Sequence, residues 1–160
     1  MSEKKGLPVE KTMSRLMAVQ ALYSQDAVED VEETKELLHI DDEVIAFFKE
    51  TASINPETDE PDSIKADKKF FKAIFEGAVE NLDEIDSIIK EFLDSGWTIE
   101  RIGSVLRSIL RAAIYEMLYL DKAHANIIIN EYVGITRSFF NDSETGFVNA
   151  LLDSIAKKKT

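Results

Sequence analysis

The longest unbroken period in the chain runs through IGSVLRSILRAAIYEMLYL, where Ile102, Val105, Leu106, Ile109, Leu110, Ala113, Ile114, Met117 and Leu118 recur at helical spacing. This stripe predicts a central core helix, about 27 Å long at about 1.5 Å per residue. The same period, in shorter runs, predicts its neighbours. Thr12 to about Gln25 holds good helix formers without Gly or Pro, with Met13, Leu16, Met17, Gln20 and Tyr23 on one face and Val19 and Leu22 widening it. A second helix is expected between about Asp30 and Lys49, around Leu37, Leu38, Ile45, Phe47 and Phe48.

From Asp67 to Asp94 the apolar positions are again helical: Phe70, Phe71, Ile74, Phe75 and Val79, then Leu82, Ile85, Ile88, Ile89, Phe92 and Leu93. Asn81 or Asp83 divides this run, Ser95-Gly96 ends it, and Thr98 is a candidate N-cap for a short segment after Trp97. Asn126 to Phe140 carries Ile128, Tyr132, Ile135 and Phe139, and the last helix carries Val148, Leu151, Leu152 and Ile155. Asn141 and Glu144 resemble a capping pair at its start, and Lys157 to Lys159 stand where a helix dipole favours cations. No strand alternation persists and no repeat is detectable. The fold expected is all-α, about seven helices packed as bundles in one domain over residues 1–160. A tail over 1–10 precedes the first helix, and an acidic loop over about 52–67, containing Pro56 and Pro61, follows the second.

Composition supports that reading. At 160 residues, 44% apolar and 31% charged, the chain suits one ordinary globular domain. The absence of cysteine excludes disulfides, thiolate metal sites and cysteine nucleophiles. The apolar runs are too short for a membrane span and MSEKKGLPVEKT lacks a signal-peptide core, so a cytoplasmic location is expected.

Charge alters the picture more. The net charge is -12, yet residues 1–25 carry four Lys/Arg against two Asp/Glu and residues 101–160 carry eight against six. The acidic excess therefore lies in the middle of the chain, which repels polyanions and confines any nucleic-acid contact to the two ends. Lys4, Lys5, Lys11 and Arg15 are the N-terminal candidates for phosphate contact; the competing reading is a solvated tail with one helix-surface arginine.

Catalytic chemistry finds no support. His39 and His124 stand apart among solvated carboxylates, no Gly-rich phosphate loop follows a strand, and pairs such as Asp41-Asp42 lie in polar surroundings. Neither an enzyme, a metal nor a cofactor is expected.

Four segments in order, AVQALYS (Ala18 to Ser24), LRAAIYEML (Leu110 to Leu118), INEYVGITRSF (Ile129 to Phe139) and GFVNALLD (Gly146 to Asp153), resemble the NusB family of bacterial transcription antitermination factors. The resemblance implies a seven-helix fold of two packed bundles without catalysis. It implies binding of boxA RNA as a heterodimer with the ribosomal protein NusE, alongside NusA, NusG and RNA polymerase. Residue by residue, the family's basic N-terminal segment falls on Lys11 and Arg15, with Lys4 and Lys5 as helpers, and Phe147 matches an aromatic facing RNA beside it. The other reading of Phe147 is a core position.

Tyr23, Leu106 and Arg107 match positions near the NusE surface, with a half-buried core tyrosine as the alternative for Tyr23. Arg111 and Glu131 are read as an internal salt bridge tying two helices. Within KTMSR, Thr12, Met13 and Ser14 stand where relatives carry arginines, and Gly146 and Leu106 replace polar family positions. Two other readings follow: a helical adaptor that binds protein alone, and a fragment of a ribosomal RNA cytosine methyltransferase, for whose parallel sheet these residues show no strands. A homodimer covering the RNA surface is an arrangement such helix packing allows.

Overall fold

A computed structural model describes residues 8–26, 54–55, 60–61 and 67–159. The helix expected over 30–49, Lys4 and Lys5, and most of the acidic 52–67 segment lie outside the described residues. Within that segment, Ile54–Asn55 and Glu60–Pro61 form a two-residue antiparallel ladder.

Six α-helices are described: α1 (Pro8–Asp26), α2 (Lys68–Glu80), α3 (Leu82–Phe92), α4 (Ser104–Tyr115), α5 (Ala125–Phe139) and α6 (Asp142–Lys159). A 3₁₀ turn, Ile99–Ile102, precedes α4, and a π turn, Glu116–Leu120, prolongs it. The all-α class read from the periodicity is the class observed. α1 starts at Pro8, four residues earlier than expected, because proline's fixed φ suits a first helical turn.

Boundaries follow local chemistry. The Asp67 carboxylate accepts from the Phe70 N–H at 3.0 Å and caps α2. Asn81 closes α2 by donating its side-chain amide to the Gly77 carbonyl at 2.8 Å, and α3 follows at once. The central helix was expected to begin near Ile102. Gly103, at φ 94°, breaks it there, since only glycine tolerates that conformation cheaply. Thr98 does precede the 3₁₀ turn, but its side chain makes no capping bond. At α6 it is the Asn141 backbone carbonyl that accepts, from the Thr145 N–H and hydroxyl.

α4 is the hub. It packs against each of the other five described helices, while α1 packs closely on α2 and α5 on α6. Ile109, Leu110, Ala112, Ala113 and Ile114 are fully buried, in one hydrophobic cluster fed by all six helices. Each such isoleucine or leucine contributes about 1.5–3 kcal/mol by leaving water. The approach of α2 to α4 depends on Gly77, where a Cβ would lie 2.0 Å from Cζ of Tyr115. No described helix is long and apolar enough to cross a membrane.

Candidate nucleic-acid and partner interface

The KTMSR segment is the first turns of α1, and its polar side chains face inward as well as out. Lys11 is exposed; its ammonium bonds Asp67 at 2.7 Å and lies 4.4 Å from the Phe70 ring centroid. Ser14 is buried, its hydroxyl accepting from the Asp67 N–H at 2.7 Å and lying 2.8 Å from the Glu10 carbonyl. Thr12 donates to Glu131. The hydroxyls of Thr12 and Ser14 thus stitch α1 to α2 and α5.

Arg15 corrects the expectation of an accessible phosphate contact. It is 5% exposed. Its Nε and Nη2 grip Glu116 at 2.8 and 2.6 Å, and Nη1 reaches Glu131 at 2.7 Å. The bidentate fork matches carboxylate geometry and uses the charge internally. Burial works against the guanidinium's charge, but hydrogen bonding and attraction from Glu116 outweigh it and raise its pKa. The Tyr132 hydroxyl donates to Glu116 at 3.0 Å, and burial followed by the Glu116 charge holds its pKa well above the ordinary tyrosine value.

The expected Arg111–Glu131 bridge is also corrected. Arg111 forks onto Asp86 through Nε and Nη2, both at 2.8 Å, and donates from Nη1 to Asp26 at 3.0 Å. Glu131 belongs to Arg15 instead. Both side chains do tie helices together, but in two separate networks. Arg107 completes the second one, bonding Asp26 at 2.6 Å and the Ile99 carbonyl at 3.1 Å. Burial raises the pKa of Asp26, yet the bonds from Arg107 and Arg111 prevail and lower it overall.

Two grooves lined by described residues bear on these side chains. The larger, about 520 Å³, lies between α3, the 3₁₀ turn and α6, and includes Phe92, Trp97, Arg101, Leu106, Phe147 and Leu151. Trp97 is 55% exposed, with the Arg101 guanidinium carbon 5.6 Å from its ring centroid. The smaller, about 370 Å³, is lined by Lys11, Lys69, Phe70, Leu120 and Lys122 over a floor of Arg15 and Glu116. Phe147, expected beside the basic segment, instead shares a groove with Leu106, and the two grooves have no residue in common. Tyr23 is 42% exposed on α1, one turn before Asp26 and therefore on the side that Arg107 reaches.

The pattern of helix periods passed over Lys69, Lys122, Trp97 and Arg101. The one usable signal was KKFFK, a basic run inside the acidic part of the chain. No cluster of metal-ligating side chains occurs among the described residues.

The sequence model of the NusB family matches residues 12–157. The chain belongs to the NusB family. It is 36% identical over 146 residues to the transcription antitermination protein NusB of Bartonella tribocorum, covering 91% of this chain and 86% of that protein. With the NusB of Allorhizobium ampelinum the identity is 38% over 145 residues, covering 91% and 84%. The solved T. maritima NusB superposes with a TM-score of 0.70 at 27% identity, over 95% of this chain and 92% of that one. The Arg15–Glu116 and Arg111–Asp86 networks therefore lie inside a NusB fold, and both grooves lie on its surface.

Proposed function

We propose that this chain is an antitermination factor that binds boxA-type RNA together with NusE, and joins NusA, NusG and RNA polymerase on ribosomal RNA transcripts in the bacterial cytoplasm. The observation that carries this reading is family membership across residues 12–157, with relatives named as transcription antitermination proteins. The role asks for recognition and no catalysis.

Lys11, with Lys4 and Lys5, supplies phosphate contacts at the N-terminal end. Phe147 offers a ring for base stacking from the Trp97 groove, and single-stranded RNA is read by this combination of charge and stacking. Arg15 acts indirectly, by holding the turn that presents Lys11. Tyr23 and Arg107 face NusE, Tyr23 with exposed aromatic surface and Arg107 with a fixed guanidinium, while Leu106, expected there too, is only 8% exposed and belongs to the core beneath that surface.

One observation favours an adaptor that binds protein alone. Arg15, Thr12 and Ser14 are engaged inside the fold, which leaves fewer groups on α1 for phosphate. Fluorescence anisotropy of a labelled boxA RNA, titrated with the protein with and without NusE at two salt concentrations, separates the readings. Tight, salt-sensitive binding that needs both proteins is expected. RNA affinity no greater than that of NusE alone, with the heterodimer formed, establishes the adaptor instead.

A further inference from the structure

The smaller groove carries an uncompensated positive charge that the N-terminal segment does not account for. Its lining holds four cations, Lys11, Arg15, Lys69 and Lys122, and two carboxylates, Asp67 and Glu116. Both carboxylates are already matched, Asp67 by Lys11 at 2.7 Å and Glu116 by Arg15 at 2.6 Å, and Arg15 also holds Glu131 at 2.7 Å, so the four cations exceed these three carboxylates by one charge. Lys69 and Lys122 are left exposed at the rim without a carboxylate partner among the described residues. In a chain of net charge -12, two unmatched ammonium groups at one concavity mark a place where an anion is attracted although most of the surface repels it.

The backbone that presents Lys122 is unusual. The π turn of Glu116–Leu120 ends when the Asp121 N–H bonds the Glu116 carbonyl at 3.0 Å, five residues back. Asp121 then takes a left-handed conformation, φ 48°, rare for a residue other than glycine. This bend brings Lys122 and Ala123 to the groove from the far end of the core helix, and Lys69, in the first turn of α2, lines the same groove. The same π turn begins at Glu116, the carboxylate that holds Arg15. Groove floor and groove rim are thus set by one irregular segment.

We propose that this groove binds a phosphate of single-stranded RNA between Lys69 and Lys122, next to the contact made by Lys11, with the Phe70, Ala73, Leu120 and Ala123 wall covering the apolar face of the adjoining nucleotide. The proposal rests on the RNA-binding reading above and extends it to residues of α2 and the α4–α5 turn. Lys11, at the start of α1, lines the same groove, so one strand reaches all three ammonium groups. A wall of apolar carbon around unmatched cations suits a nucleotide, which joins a phosphate to a flat base. An acidic peptide covers that wall only where an apolar side chain adjoins its carboxylates, whereas every nucleotide joins a phosphate to a base.

The test uses the full chain with NusE and a labelled single-stranded boxA RNA in anisotropy titrations over a series of salt concentrations. Variants are the double substitution Lys69→Gln with Lys122→Gln, the matching Lys→Arg pair, and Lys11→Gln. The glutamine pair is expected to weaken binding several-fold at low salt and to make the slope of log affinity against log salt shallower by about 1.4, at about 0.7 per lost contact on a single strand. The arginine pair is expected to restore both, and unchanged thermal unfolding shows that the exposed substitutions leave the fold alone.

If wild type binds with a strong salt dependence and the glutamine pair matches it, the groove is off the RNA path, while the functional reading stands. If wild type with NusE binds no RNA beyond NusE alone, both readings fall together. If the glutamine pair loses binding of a poly-glutamate peptide yet keeps wild-type RNA binding, the groove is a site for an acidic protein and the proposal is overturned.

Discussion

Arg15 and Glu116 stand 101 positions apart in sequence and meet through two hydrogen bonds of 2.8 and 2.6 Å, with the carboxylate side chain 2% exposed. The start of α1 is thereby locked to the end of the core helix. Removing one partner of a buried pair leaves the other charged and unpaired, at about 3–5 kcal/mol. Arg15→Ala is therefore expected to lower stability by about that amount in urea unfolding. The salt slope of RNA binding, measured where the variant is still folded, is expected to stay at the wild-type value. A shallower slope in a fully folded Arg15→Ala protein would return Arg15 to the RNA surface.

Gly77 is a space requirement with no strain in φ. A methyl group there collides with the Tyr115 ring, which stacks on Tyr119 with centroids 5.0 Å apart, and the Tyr119 hydroxyl is bonded to Glu84. Gly77→Ala is expected to destabilise by about 1–3 kcal/mol through overpacking. Combining it with Tyr115→Leu should cost less than the sum of the two single changes, as a double-mutant cycle by thermal unfolding would read.

Asp26 gives the acid side of the stability profile a defined contribution. Its folded pKa lies below the ordinary 3.8, so as pH falls the unfolded chain takes up the proton first. The stabilisation is fully present above about pH 5 and is lost as pH drops through 3.8 and then through the lowered folded value. Asp26→Asn should therefore reduce stability near pH 7 and lose less on acidification. Parallel curves for variant and wild type from pH 6 to pH 2.5 would remove Asp26 from this role.

Trp97 is the sole tryptophan and more than half exposed, so intrinsic fluorescence reports on the larger groove. The free protein should emit at the long wavelength of a hydrated indole. Adding NusE or the NusE–RNA mixture should shift that emission to the blue if the groove lined by Leu106 and Phe147 faces the complex. An unshifted spectrum on a formed complex places the interface elsewhere.

Tyr23 exposes 42% of its surface, and truncation should therefore cost little in folding. Tyr23→Ala is expected to unfold within about 1 kcal/mol of wild type, yet to weaken NusE binding at least tenfold by calorimetry, as loss of an interface aromatic does. Unaltered affinity would assign the NusE contact to other residues.

Helix positions were legible because an amphipathic period is local: Ile102 to Leu118 announces α4 without reference to anything else in the chain. The partners of charged residues were not. From sequence, Arg15 reads as a surface cation near the chain's basic end, and Arg111 as the mate of Glu131. The fold gives Arg15 to Glu116 and Glu131, and Arg111 to Asp86 and Asp26.

The sequence by itself determined the all-α class, most helix boundaries to within a few residues, the core stripe, and, through four ordered segments, the family. The tertiary structure alone decided which cations are spent inside the fold, that Phe147 and Lys11 open on different grooves, and that Lys69 and Lys122 share one. Apolar burial is written along each helix as a repeat of three to four residues. The pairing of a charge depends on which distant carboxylate the packed helices bring within about 3 Å, and no local period encodes that distance.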